Sequence, residues 1–109
     1  MEIDQETQEK IQELQSYEQT FHNLLVQKQA FQIELNETEN ALSEISKSPE
    51  DVFKLVGNIM IKTNKISLEK ELKQKKDLLS LRLKSIENQE KQLSEQVEVL
   101  REEVIKKIK

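Results

Sequence analysis

The chain contains one glycine, and that glycine sits between two short apolar runs at its centre. Val52, Phe53, Leu55 and Val56 precede Gly57-Asn58, and Ile59, Met60 and Ile61 follow it. Runs of β-branched and aromatic residues on either side of such a dipeptide predict a two-residue β-hairpin, because both central positions tolerate positive φ. Val56 then faces Ile59, and Leu55 faces Met60. Phe53, Leu55 and Met60 fall on one face of this hairpin; Val52, Val56, Ile59 and Ile61 fall on the other. A lone two-stranded hairpin is marginal in water and leaves its edges unpaired. The stretch is therefore read as part of a larger sheet whose other strands come from other chains.

The flanking segments obey a different period. Residues 4–46 are expected to form one helix, with Asp4 as N-cap and no Gly or Pro in its interior. Its seam runs Leu14, Tyr17, Phe21, Leu24, Lys28, Phe31, Leu35, Thr38, Leu42 and Ile45, with steps that alternate three and four as a heptad requires. Such a helix is about 65 Å long. Pro49 ends it. The hairpin is expected over residues 51–65. A second helix is expected over residues 67–107, with Ser67 as N-cap and Glu69 and Glu71 near its positive end. The second seam is Leu72, Lys76, Leu79, Leu83, Ile86, Glu90, Leu93, Val97, Leu100 and Val104.

Phase links the two seams. If the helices fold back antiparallel, Leu14 faces Leu100, Tyr17 faces Val97, Phe31 faces Leu83 and Leu35 faces Leu79, and all nine pairs from Leu14 to Leu42 share one constant sum of residue numbers. Unrelated heptad helices need not match in phase and length. The fold class expected is mostly α: a long antiparallel coiled-coil hairpin forming one domain over residues 1–109, with a central β-hairpin. Lys28 and Glu90 lie in adjacent layers, where they either form a cross-helix ion pair that fixes register or snorkel to water past the seam.

Composition narrows the function. Hydrophobic residues make up 35% of the chain and charged residues another 35%, which suits solvated helices with a narrow apolar seam better than a globular core. Cysteine is absent, which excludes disulfide and thiolate chemistry. No apolar run reaches membrane-spanning length and no signal-peptide core is seen, so a cytoplasmic location is expected. The net charge of −4, without a basic stripe, disfavours nucleic acid as a partner. No phosphate-binding loop can be built from one glycine. His22, the only histidine, falls beside the seam on the solvent side. The chain is thus expected to be no enzyme and to need no cofactor or metal.

Order and spacing of motifs carry a resemblance. Phe53-Lys54 followed by Gly57-Asn58-Ile59-Met60-Ile61 lies between two equal arms. Val26-Gln27-Lys28-Gln29 and Asn36-Glu37-Thr38 precede it; Leu81-Arg82 and Ile86-Glu87-Asn88-Gln89-Glu90 follow it. Over nearly its whole length the sequence resembles the beta-type subunits of prefoldin, most of all the archaeal ones. The resemblance implies a hexamer of two alpha-type and four beta-type subunits, in which the hairpins join inter-subunit β-barrels and the coiled coils extend as tentacles. It implies an ATP-independent chaperone, a holdase that captures unfolded proteins between its tips and delivers them to a group II chaperonin. Some relatives continue into a flexible tail beyond the second helix, whereas this sequence stops at Lys109. A chaperonin contact through such a tail is therefore not carried over.

Apolar residues off the seam complete the reading. Ile3 and Ile11 near the start of the first helix, and Ile105 and Ile108 near the end of the second, are expected at the tip away from the hairpin. Exposed apolar groups rimmed by charge suit capture of unfolded segments. Val104 is read as finishing the seam, and Leu25, Val26 and Ile33 as additions to the inner surface. Lys106, Lys107 and Lys109 either complement the helix C-terminus or steer acidic partners. Two other functions fit parts of the sequence. A structural spacer or oligomerisation module accounts for the seam but gives no role to the hairpin faces. An RNA-gripping arm conflicts with the acidic balance.

Overall fold

The computed structural model describes residues 3–48 and 51–108. Pro49, expected to end the first helix, and Lys109, the last lysine of the basic tip, lie outside them. The element order is α1 (Gln5–Lys47), β1 (Asp51–Val56), β2 (Ile59–Asn64) and α2 (Lys65–Ile108). Both helices are rich in Gln, Glu, Lys and Leu and free of Gly and Pro, so little in their interiors opposes helical backbone.

Their starts are set by side-chain caps. Asp4 accepts a hydrogen bond from the Thr7 amide at 2.7 Å, and the Gln8 amide donates to the Asp4 carbonyl at 3.0 Å. The second cap differs from expectation. Asn64, not Ser67, accepts the first-turn amide: Ser67 N–H donates to Asn64 Oδ1 at 2.7 Å, which makes Ser67 the third helical residue. Helix α2 therefore begins two residues earlier than expected, and the hairpin ends at Asn64. Either residue type can cap. Asn64 does so because it is the last residue held extended by the ladder, opposite Asp51.

The hairpin register is Val56 opposite Ile59, Leu55 opposite Met60 and Val52 opposite Thr63. Gly57 has φ of 60°, and no other described residue has positive φ. The turn therefore needs the left-handed region at its first central position only, as in a type II′ turn. Asn58 contributes nothing in that region, contrary to the expectation that both positions would use it.

The chain divides into two compact units, one of Met1–Gln29 with Lys84–Lys109 and one of Ala30–Leu83. In the first, the α1 and α2 segments run antiparallel. Lys10 pairs with Glu103 at 3.2 Å and Lys28 with Glu90 at 3.3 Å, so rising numbers on one helix meet falling numbers on the other. Leu24, Ile86, Leu93, Leu100 and Val104 are buried there, with Leu14, Tyr17, Phe21 and Val97 half-buried. Thr7 is the most enclosed of the described residues, only 2% exposed. It stands seven residues before Leu14, so the heptad reaches the first turn of α1.

The second unit is also antiparallel. Phe31 and Leu35 pack with Leu79 and Leu83, the layers expected from the matched seams, and Arg82 stacks its guanidinium 5.6 Å from the centre of the Phe31 ring. Glu34 pairs with Lys75 at 3.2 Å. Thr38 is buried and its hydroxyl donates to the Glu34 carbonyl at 2.8 Å. Lys76, placed on the seam by its spacing, is exposed instead. A lysine at such a position can run its stem along the helix and keep its ammonium in water. A further cluster joins Ile45, Val52 and Leu68, with Leu72 packed against it. Burying a leucine-sized side chain contributes about 1.5–3 kcal/mol, so this cluster anchors the root of the hairpin to both helices.

Candidate functional site

The hairpin is held at its root and bare elsewhere. Val52 is buried in the cluster with Ile45 and Leu68. Lys54, on the same face, reaches Glu71 on α2 at 2.6 Å. Lys65, at the start of α2, donates to the Ser46 carbonyl at 3.4 Å and the Ser48 carbonyl at 3.3 Å. It thereby satisfies carbonyls that the end of α1 leaves without intrahelical partners. These three contacts fix where the strands leave the helices.

Beyond the root the apolar residues face water. Phe53, Leu55, Val56, Ile59, Met60 and Ile61 are all exposed, Leu55 and Met60 each to 69%. They occupy both faces of a two-stranded sheet. Ile66, in the first turn of α2, is exposed to 82%, more than any other large apolar residue described, and lies outside the residues expected at a site. Its signal was available: isoleucine belongs to no seam position there. The sheet thus carries apolar side chains on both faces, with no further strand paired to it among the described residues.

The other expected site residues belong to the first unit. Ile3, Ile105 and Ile108 are exposed, while Ile11 is half-buried. The first turn of α1 lies near the last turn of α2. The Asp4 carboxyl is held below its ordinary value, chiefly by hydrogen bonds from the Thr7 hydroxyl and amide, with help from the charges of Lys107 and Lys10. Lys10 is pushed up, mainly by its hydrogen bond to Glu103. Leu25 and Val26 are exposed on α1 in this unit, and Ile33 is exposed on the part of α1 that belongs to the second unit. Lys28 pairs with Glu90 at 3.3 Å while both side chains keep part of their surface in water.

No group of three or more His, Cys, Asp or Glu among the described residues is arranged to hold a metal ion, and no described helix is long and apolar enough to cross a membrane. What the geometry offers is surface for binding: two helices paired antiparallel within each unit, and a β-hairpin whose apolar faces its own chain leaves uncovered.

That class of protein has relatives. The family model described as prefoldin subunit matches residues 8–109. The prefoldin subunit beta of Pyrobaculum islandicum is 44% identical over 88 residues, covering 79% of this chain and 70% of the relative. That of Thermococcus kodakarensis is 40% identical over 100 residues, covering 90% and 86%. Among solved structures, the crystal structure of the prefoldin beta subunit from Thermococcus strain KS-1 superposes with a TM-score of 0.85 at 37% identity, covering 94% of this chain and 92% of that one. The chain belongs to the prefoldin family, as a subunit of the beta type.

Proposed function

We propose that this chain is a subunit of a hexameric, ATP-independent chaperone built from two alpha-type and four beta-type subunits, working in the cytoplasm without catalysis. The observation that carries the reading is the hairpin, apolar on both faces and bare outside its root. In an assembly, Phe53, Leu55, Val56, Ile59, Met60 and Ile61 pack against strands of neighbouring subunits, with Gly57-Asn58 as the turn, and close a shared barrel. The exposed isoleucines Ile3, Ile105 and Ile108, with the half-buried Ile11, hold apolar segments of unfolded proteins. The held protein is then passed to a group II chaperonin. Weak, nonspecific holding suits scattered apolar groups among charges better than one deep cavity does.

The test is the native mass of the chain alone and mixed with an alpha-type prefoldin subunit, by light scattering on a sizing column, followed by a client-aggregation assay. The mixture should give a species of six chains that keeps an unfolded client in solution. Leu55→Ser with Met60→Ser should abolish that species. Replacing the four isoleucines by Ser should keep the six-chain mass and lose client protection. A chain that assembles and never protects a client would instead be a structural spacer.

A further inference from the structure

We infer that a groove between α1 and α2 in the first unit binds cationic apolar segments, so that the chain selects among unfolded clients by charge; this rests on the client-holding reading above. The groove has a volume of about 590 Å³, within the range of about 300–1,000 Å³ usual for ligand clefts. Tyr17 and Leu100 are its least exposed apolar residues, and Val99 stands 58% exposed beside them. None of these three was among the client-binding residues expected from sequence. An apolar side chain entering the groove covers Val99 and the edge of Tyr17, which this chain leaves wet.

Charge decides the occupant. Glu13, Glu95 and Glu103 line the groove. Its one cation among the described residues, Lys10, is held between Glu6 at 3.5 Å and Glu103 at 3.2 Å. Glu13 accepts a hydrogen bond from the Tyr17 hydroxyl at 3.0 Å, which pushes the phenol up. Glu95 makes no ion pair among the described residues. The bias extends to the whole unit. Its sequence holds 12 acidic against 8 basic residues, a net −4, whereas Ala30–Leu83 holds 9 of each and is neutral. The entire net charge of the chain thus belongs to the unit that contains the groove. A second copy of this chain would bring the same negative unit to meet it. A peptide with Lys or Arg among its Leu, Val and Phe satisfies both the apolar surface and the carboxylates within about one Debye length, roughly 8 Å at physiological salt.

The experiment measures binding of three fluorescent peptides by anisotropy. They share one set of Leu, Phe and Val residues and carry Lys, Ser or Asp at the remaining positions. The full chain is used, and each variant is first checked for unchanged helicity and native mass. The Lys peptide should bind about tenfold more tightly than the Asp peptide, with the Ser peptide between, and the spread should shrink as salt rises. Glu13→Gln with Glu95→Gln should weaken the Lys peptide about fivefold and leave the Ser peptide unchanged. Val99→Ser should weaken both. Equal affinity for all three peptides, or a charge preference that survives the glutamine variant, overturns the inference while leaving client holding intact. Binding of no peptide, together with no protection of an unfolded client, overturns both readings. A Val99→Ser variant that changes native mass and no peptide affinity shows the groove to be a contact between copies, which also overturns the inference.

Discussion

Lys28 and Glu90 meet across the paired helices at 3.3 Å, with side chains 37% and 26% exposed. Each replaces an apolar residue in its own heptad seam. Exposed pairs of this kind contribute only about 0.2–1 kcal/mol, whereas apolar replacement of a partly buried pair is often stabilising. Lys28→Ala, Glu90→Ala and the double variant should therefore give a coupling energy of about 0.5 kcal/mol in a urea-denaturation cycle. Lys28→Leu with Glu90→Leu should be more stable than the parent. If the pair fixes register, that gain comes with mixed native masses or broadened amide resonances; a single sharp species would remove the register role.

Leu79 is 3% exposed and packs with Leu35 and Leu83. Leu79→Ala should cost about 2–5 kcal/mol, from lost transfer energy and the cavity left behind. Leu81→Ala, two residues away on the solvent side, should fall within about 0.5 kcal/mol of the parent. Denaturant midpoints for the two variants check the seam directly, since the residues differ in environment and not in type.

Gly57 has a φ of 60°, and a methyl group added there meets no atom within 4 Å. The whole effect of Gly57→Ala should thus come from backbone strain, about 1–2 kcal/mol. Gly57→Asn should be milder, because asparagine tolerates this region better than alanine. Thermal melts should rank the three as Gly, Asn, Ala. An alanine variant as stable as the parent would mean that the turn relaxes to another type.

The Asp4 cap predicts a pH dependence local to the start of α1. Its carboxyl is held below the ordinary value by the Thr7 hydroxyl and amide. The folded pKa thus lies below the unfolded one, and the stabilisation is fully present above the unfolded value. It is lost as pH falls through the folded value, where protonation removes the charged acceptor. Amide exchange at Thr7 and Gln8, compared with that of mid-helix residues, should rise on acidification in the parent. In Asp4→Asn, which caps without a charge, the same comparison should stay flat.

The outline of the fold was legible in the chain because it rests on local periodicity, whereas the family was legible through the resemblance of its motifs, in order and spacing, to prefoldin beta-type subunits. A heptad records which side chains share a face, and two heptads of matched phase record how they pair, so Phe31, Leu35, Leu79 and Leu83 could be placed together from spacing alone. The hairpin was legible from local sequence too: Gly57-Asn58 between two short runs of β-branched and aromatic residues leaves few other backbones. Details that depend on a choice between equivalent groups were not. Asn64 and Ser67 are both good caps, and Lys76 sits at a seam spacing yet turns outward.

What the sequence by itself determined is therefore the pattern of faces: which residues line the seam, where the chain reverses and which apolar groups the strands carry. Only the tertiary structure decided which of those groups stay wet and which charges meet. Lys65 closing the end of α1, Val52 buried at the hairpin root and the Tyr17–Val99–Leu100 groove all depend on segments far apart in the chain arriving at one place. The energy of such contacts comes from surface hidden and charges brought close between segments, and a local period contains no term for that.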